Sequence, residues 1–212
     1  MKFCKLAGLF LLSAAACLPV AAQQTMETVV AVDEDFGKWE FRGGLINNAF
    51  DKDAAYVEGI DDSALSLYVA GDYLKSGYRT SVFLEFYLYD DKYGFSQWVE
   101  GDGWFNDGDI SQQSSDANGV SAGILFGPQW NFGVDNKAVA YVQGGFDVML
   151  SSERGIASCS NCYSEDIEMG GGALVQAGVE REVGSFTLGV VARSHLSGDL
   201  GSSFGVTIGT GF

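Results

Sequence analysis

Beyond its first 22 residues the chain has no run of 18 or more apolar residues, so helices that cross a membrane are excluded on length. Bases are also scarce. Of the 12 Lys and Arg residues, Lys2 and Lys5 lie in the first 22, which leaves 10 against 28 acids and a net charge near −18. That balance argues against nucleic acid, and against any polyanionic partner met without metal ions. Histidine occurs once, at His195. Of the 4 cysteines, Cys4 and Cys17 lie in the first 22 residues, so only Cys159 and Cys162 remain. One pair cannot supply the four ligands of a structural metal site, and in an exported protein it reads by default as a small disulfide.

Export is written in the first 22 residues. Lys2 and Lys5 precede an apolar run from Leu6 through Leu12 to Ala16, and small residues surround Val20-Ala21-Ala22. Cleavage after Ala22 leaves 190 of the 212 residues. Lipidation at Cys17 is the alternative, but Ala14 stands where such signals usually carry Leu. A polar leader, residues 23–36, follows the signal, and residues 37–212 form one domain.

What is present in that domain is alternation with a period of two. It begins at Trp39, where Trp39, Phe41 and Leu45 share one side while Glu40 and Arg42 share the other. Further segments with the same period run over residues 64–73, 78–89, 119–130, 138–150, 167–180, 186–196 and 202–212. Pro128 marks a frayed strand end. Long connections (47–63, 90–118, 151–166) alternate with short turns at Lys75-Ser76-Gly77, Asn131 to Lys137 and Glu182 to Ser185, and a brief fourth loop, 197–201, leads to the last strand. In the last segment Phe204, Val206, Ile208, Thr210 and Phe212 fall on one face, and Gly205, Thr207, Gly209 and Gly211 on the other.

A terminal Phe at the end of an alternating strand, behind an export signal, resembles the closing strand of bacterial outer-membrane β-barrels. The resemblance implies an all-β fold, an eight-stranded antiparallel up-and-down transmembrane barrel similar in architecture to the small OmpA and OmpX barrels. It also implies that Phe204, Val206, Ile208 and Phe212 belong to a signal read by the barrel-assembly machinery, that both termini are periplasmic, and that the surroundings are outer-membrane lipid and lipopolysaccharide. The barrel is expected to be monomeric. A soluble barrel is the rival, since Gly37-Lys38-Trp39 resembles the Gly-x-Trp start of lipocalins. Against it, Lys38, Lys52, Lys75, Lys92 and Lys137 all sit at strand ends, turns or loops, whereas a solvated face would carry lysine freely.

Strand parity turns Glu40, Arg42, Asp72, Glu85, Asp147, Glu180, Arg193 and His195 into the lumen. Small barrels have side-chain-filled interiors, so these charges are expected to pair, with Arg42 and Arg193 able to hold two carboxylates each. The expected role is therefore structural or that of a narrow conduit. Two alternatives stand beside it. Ser194-His195-Leu196-Ser197 has an H-x-S spacing similar to that of lipid A deacylases, but Gly198 stands where that family has Asn, and residues 202–212 contain no acid. The long second loop carries Trp98, Trp104, Phe105, Asp107 and Asp109, which suit contact with a surface ligand. No cofactor is expected. Loosely held Ca²⁺ or Mg²⁺ at the acidic loops is the one metal reading, because Trp104 breaks the EF-hand ligand order.

Overall fold

The computed structural model describes residues 37–100, 110–133, 135, 137–156 and 162–210. Its strands are β1 (Lys38–Phe50), β2 (Ile60–Lys75), β3 (Tyr78–Asp91), β4 (Ser96–Glu100), β5 (Ile110–Ser114), β6 (Asp116–Phe132), β7 (Ala138–Gly155), β8 (Ser164–Asp166), β9 (Ala173–Val183), β10 (Phe186–His195) and β11 (Leu200–Thr210). A single helix, α1 (Lys52–Glu58), joins β1 to β2 among the described residues.

Eight strands run in the hydrogen-bonded order β6-β3-β2-β1-β11-β10-β9-β7, and β7 pairs back onto β6. All these pairings are antiparallel. The sheet is thus a closed barrel, with β8 appended to the end of β7 and β4–β5 a separate hairpin. Closure suits hydrocarbon, because an open edge would leave backbone donors and acceptors unpaired where no water can satisfy them. The outward residues confirm the environment physically. Leu67, Val82, Leu188, Val206 and Ile208 are all 49–54 % exposed in the isolated chain, part of a continuous apolar band that water would not tolerate. Aromatic rings gather toward the short-turn end, where Tyr78 stacks on Phe126 with centroids 5.4 Å apart and Trp39 lies 5.4 Å from Tyr73. Rings at that level suit the headgroup boundary.

The strands are longer than their alternation suggests. β2 starts at Ile60 instead of 64, β6 at Asp116 instead of 119, and β7 continues to Gly155 instead of 150. These extensions rise beyond the apolar band at the long-loop end, where polar residues stand on both faces and the period fades. The expected loop 47–63 contains α1. Asp51 caps it by accepting from the backbone N–H groups of Asp53 (3.0 Å) and Ala54 (3.1 Å), and Gly59 ends it in the left-handed region at φ 67°. One strand start is corrected. β9 begins at Ala173, not 167, and Met169, expected to face lipid, is buried with Ile167 inside the barrel mouth. The cause lies in Gly170 to Gly172, which are clamped between neighbouring strands. Asp199 exchanges hydrogen bonds with Gly170, and Asp147 with Gly172.

Candidate functional site

The interior divides into layers along the barrel axis. Nearest the short turns, Arg42 on β1 makes a bidentate pair with Asp72 on β2, its Nη2 donating to Oδ1 at 2.9 Å. Arg42 Nη1 also donates to Glu180 Oε1 at 2.7 Å and to the Tyr141 hydroxyl at 2.6 Å. Arg79 on β3 takes both oxygens of Glu180, at 2.9 and 2.8 Å, and its guanidinium lies 4.3 Å from the Tyr141 ring centre. One carboxylate therefore ties two guanidiniums across the lumen. Planar forks make this possible where ammonium groups could not.

Space for these long side chains comes from glycine. A Cβ at Gly209, opposite Arg42 in the register, would stand 2.9 Å from Arg42 Cγ, and one at Gly178 would overlap the Tyr141 ring. Gly209 on the closing strand thus opens the recess into which the Arg42 stem fits.

A bridge of amides leads upward. Ser81 donates to Asp72, Gln143 donates to Ser81 at 2.8 Å, Gln176 donates to Gln143 at 3.2 Å, and Arg193 donates to Gln176 at 3.0 Å. Arg193 then reaches Glu85 at 2.6 Å, and Glu85 accepts from Asn48 at 2.8 Å and from Ser66. Three guanidiniums, Arg42, Arg79 and Arg193, thus face three carboxylates, Asp72, Glu85 and Glu180, all of them buried. Tyr68, between Arg42 and Arg193, has a buried hydroxyl with no hydrogen-bond partner among the described residues.

Toward the long loops the interior turns apolar. His195 meets Asp147 at 3.0 Å through Nε2 and the Gly201 carbonyl at 3.1 Å through Nδ1. Above this pair Phe50, Ile60, Tyr87, Tyr89, Ile167, Met169 and Leu200 form one buried cluster across the barrel mouth. Arg154 closes it from above. Its Nε donates to Asp91 at 2.6 Å, Nη1 to Glu165 at 3.2 Å and Nη2 to the Glu58 carbonyl at 2.8 Å, so one side chain joins β3, β8 and the end of α1.

Of the expected lumen residues, Arg42, Asp72, Glu180, Glu85 and Arg193 lie in one hydrogen-bonded system, and Asp147 and His195 form a separate pair. Glu40 stands apart with Lys38 at 3.3 Å. Arg79 and Arg154 were not singled out. Arg79 shares the parity of Ser81 and Glu85 and was legible; Arg154 was assigned to a loop. Trp98 is 68 % exposed on the β4–β5 hairpin, whereas Trp104, Phe105, Asp107, Asp109, Cys159 and Phe212 lie outside the described residues. Phe204, Val206 and Ile208 all face outward. Ser197 accepts from the backbone N–H of Ala173 at 2.9 Å, and His195 has acceptors at both ring nitrogens, a geometry that holds a loop and does not prepare a nucleophile. Among the described residues no group of three His, Cys, Asp or Glu is placed to hold a metal ion.

Fold and interior together define an eight-stranded transmembrane β-barrel with a side-chain-filled lumen. No protein-family model matches the sequence. No curated protein matches it either. Among solved structures it is similar to Ail, the attachment invasion locus protein of Yersinia pestis, in complex with the heparin analogue sucrose octasulfate, at 13 % identity and a TM-score of 0.46, covering 83 % of this chain and 99 % of that one. It is similar also to Neisserial surface protein A, at 10 % identity and a TM-score of 0.48, covering 84 % of this chain and 100 % of that one.

Proposed function

We propose that the protein is an integral outer-membrane barrel with a structural role, its lumen sealed, its long loops outside the cell and both termini periplasmic. The observation that carries this reading is the interior itself. Three buried guanidiniums meet three carboxylates, and an apolar cluster roofs them. A water path along the axis would have to displace this roof and separate pairs that span the lumen, whose members reach one another from different strands. Planar-bilayer recording of the purified barrel tests it. Silence across a wide range of salt and voltage is expected, and regular conductance steps would replace the sealed barrel with the narrow conduit.

Removal of residues 1–22, reading of Phe212 by the assembly machinery and a small disulfide between Cys159 and Cys162 belong to the same reading. Loss of Phe212 should lower the yield of assembled barrel; normal yield would sever that link. Mg²⁺ or Ca²⁺ bridging the acidic loops to lipopolysaccharide phosphates also fits it, since like charges would otherwise repel. A second role, surface binding through the long-loop end, is favoured by a specific feature: Tyr56, Val57, Trp98 and Tyr163 are 60–77 % exposed there, well beyond the apolar band.

A further inference from the structure

The lipid-facing wall carries a trough of about 610 Å³ across β2, β1, β11 and β10, lined by Gly43, Leu45, Leu67, Leu188, Val206 and Ile208. Strand register explains it. Leu188 stands opposite Ile208, Ile208 opposite Gly43, and Gly43 opposite Val69, so one row of outward positions crosses four strands. Three of the four carry branched aliphatic side chains, and Gly43 carries none. In the next row toward the long loops, Val190, Val206, Leu45 and Leu67 stand opposite one another in the same strand order, and every position is filled.

The chain does not use this gap itself. Among the described residues beyond its chain neighbours, a Cβ at Gly43 would meet only the Tyr68 carbonyl oxygen, at 3.8 Å, an ordinary contact. Gly71, the next outward glycine on β2, differs. A Cβ there would touch the rings of Phe41 and Trp39 at 3.6 Å, because those aromatics fold over it.

Depth assigns the surroundings. Gly43 lies four residues along β1 from Trp39, which belongs to the aromatic level at the short-turn end, and Leu45 lies six. At about 3.3 Å per residue and a strand tilt of about 40°, the trough sits roughly 10–15 Å beyond that level. Half of a hydrocarbon core about 30 Å thick is about 15 Å, so the trough stays within the leaflet on the short-turn side. Every outward side chain lining it is aliphatic, which excludes a polar guest and matches a hydrocarbon chain. Its volume lies within the roughly 300–1,000 Å³ of small-molecule sites. Trp39 and Phe41, 57 % and 63 % exposed, project from β1 toward the short-turn side of the trough. A second wall laid flat here is held away from Gly43, whereas a single chain passes beside the rings.

We propose that this trough seats one acyl chain of a glycerophospholipid, with its headgroup at the level of Trp39 and Tyr73 and its chain running past Gly43 to Leu45 and Leu67. The choice of phospholipid over lipid A rests on the short turns being periplasmic. The seat itself rests on the barrel wall and not on whether the lumen conducts, so bilayer recordings and lipid labelling fail independently.

The test is photolabelling of the purified full-length barrel in vesicles of phosphatidylethanolamine and phosphatidylglycerol, with a phosphatidylethanolamine that bears a diazirine at mid-chain and with labelled peptides mapped by mass spectrometry. Labelling of residues 40–46 and 204–210 is expected to exceed that of residues 82–86 and 120–124, on the paired β3 and β6, about fourfold, the preference that one further buried methylene gives. Gly43→Leu completes the row and should bring the two walls level, and Gly43→Ala should take the excess to about half. Unaltered heat-modifiable gel mobility certifies folding of each variant, and Gly43→Ala keeps the test decisive if Gly43→Leu fails to fold. Equal labelling of the two walls in the unaltered chain, an excess that either variant leaves intact, or stronger labelling of the trough by lipid A carrying the same diazirine would each overturn the proposal.

Discussion

Toward the short turns the barrel is filled by Arg42, Arg79, Asp72 and Glu180, whereas at the long-loop end the same strands enclose Phe50, Tyr87, Tyr89, Ile167 and Met169. Both regions exclude water, but by different physics. The charged layer depends on each fork finding its carboxylate, since desolvated charges gain little net stability yet are costly to strand. Its virtue is geometry: Glu180 locks β9 to β1 and β3 at fixed height. The apolar roof depends on area and shape, tolerates small shifts, and is assembled from strand extensions, α1 and residues 167–169. A rigid lower layer and a loop-built roof imply that disturbance should stay local to each.

That contrast can be broken at graded cost. Glu180→Ala strands Arg79 and leaves Arg42 with Asp72 alone, and should cost about 3–5 kcal/mol, read as a lower unfolding temperature in the heat-modifiability assay. A loss below about 1 kcal/mol would show that the layer is not an interdependent unit. Phe50→Ala should cost about 3 kcal/mol, with faster amide exchange at residues 87–89 and 167–169 while residues around Arg79 stay protected. Spread of exchange into the Arg79 layer would erase the boundary between the two regions. Gly59→Ala forces a left-handed φ and displaces Tyr93, at about 1–2 kcal/mol confined to α1, seen as new protease sensitivity near residue 59. Smallest is the Asp61–Lys92 pair. Asp61 is held low by its hydrogen bond to Lys92, so the pair persists above the ordinary carboxylate range and is lost as pH falls through the lowered Asp61 value. Carboxyl-carbon NMR should show Asp61 titrating lower in the unaltered chain than in Lys92→Gln; identical Asp61 titrations in the two proteins would contradict the pairing.

Much of this was legible because period two is a strong constraint. A charge at Glu85 in mid-strand has one acceptable side, and all its neighbours on β3 follow from it. Arg79 obeyed the same rule but stands beside a turn, where a base attracts no notice. Arg154 was hidden for another reason: Ser151, Ser152 and Glu153 put polar groups on both faces of the β7 extension, so alternation carries no signal there. Helix α1 is too short for a helical period, and only its Asp51 and Gly59 caps are visible in the sequence. Met169 misled because alternation was carried through Gly170 to Gly172, where the chain leaves the sheet.

The sequence by itself determined the number of spanning strands, the side on which each residue stands and the acidity of the long loops, because all three depend on local alternation and composition. Partners were decided only by closure. Strand parity places Arg42 and Glu180 in the same lumen, but the stagger between strands sets their heights, and that stagger is a property of the whole barrel. The closing strand illustrates the division: its Gly face is plain in the sequence, while the use of Gly209 as the recess for the Arg42 stem exists only once β11 lies against β1.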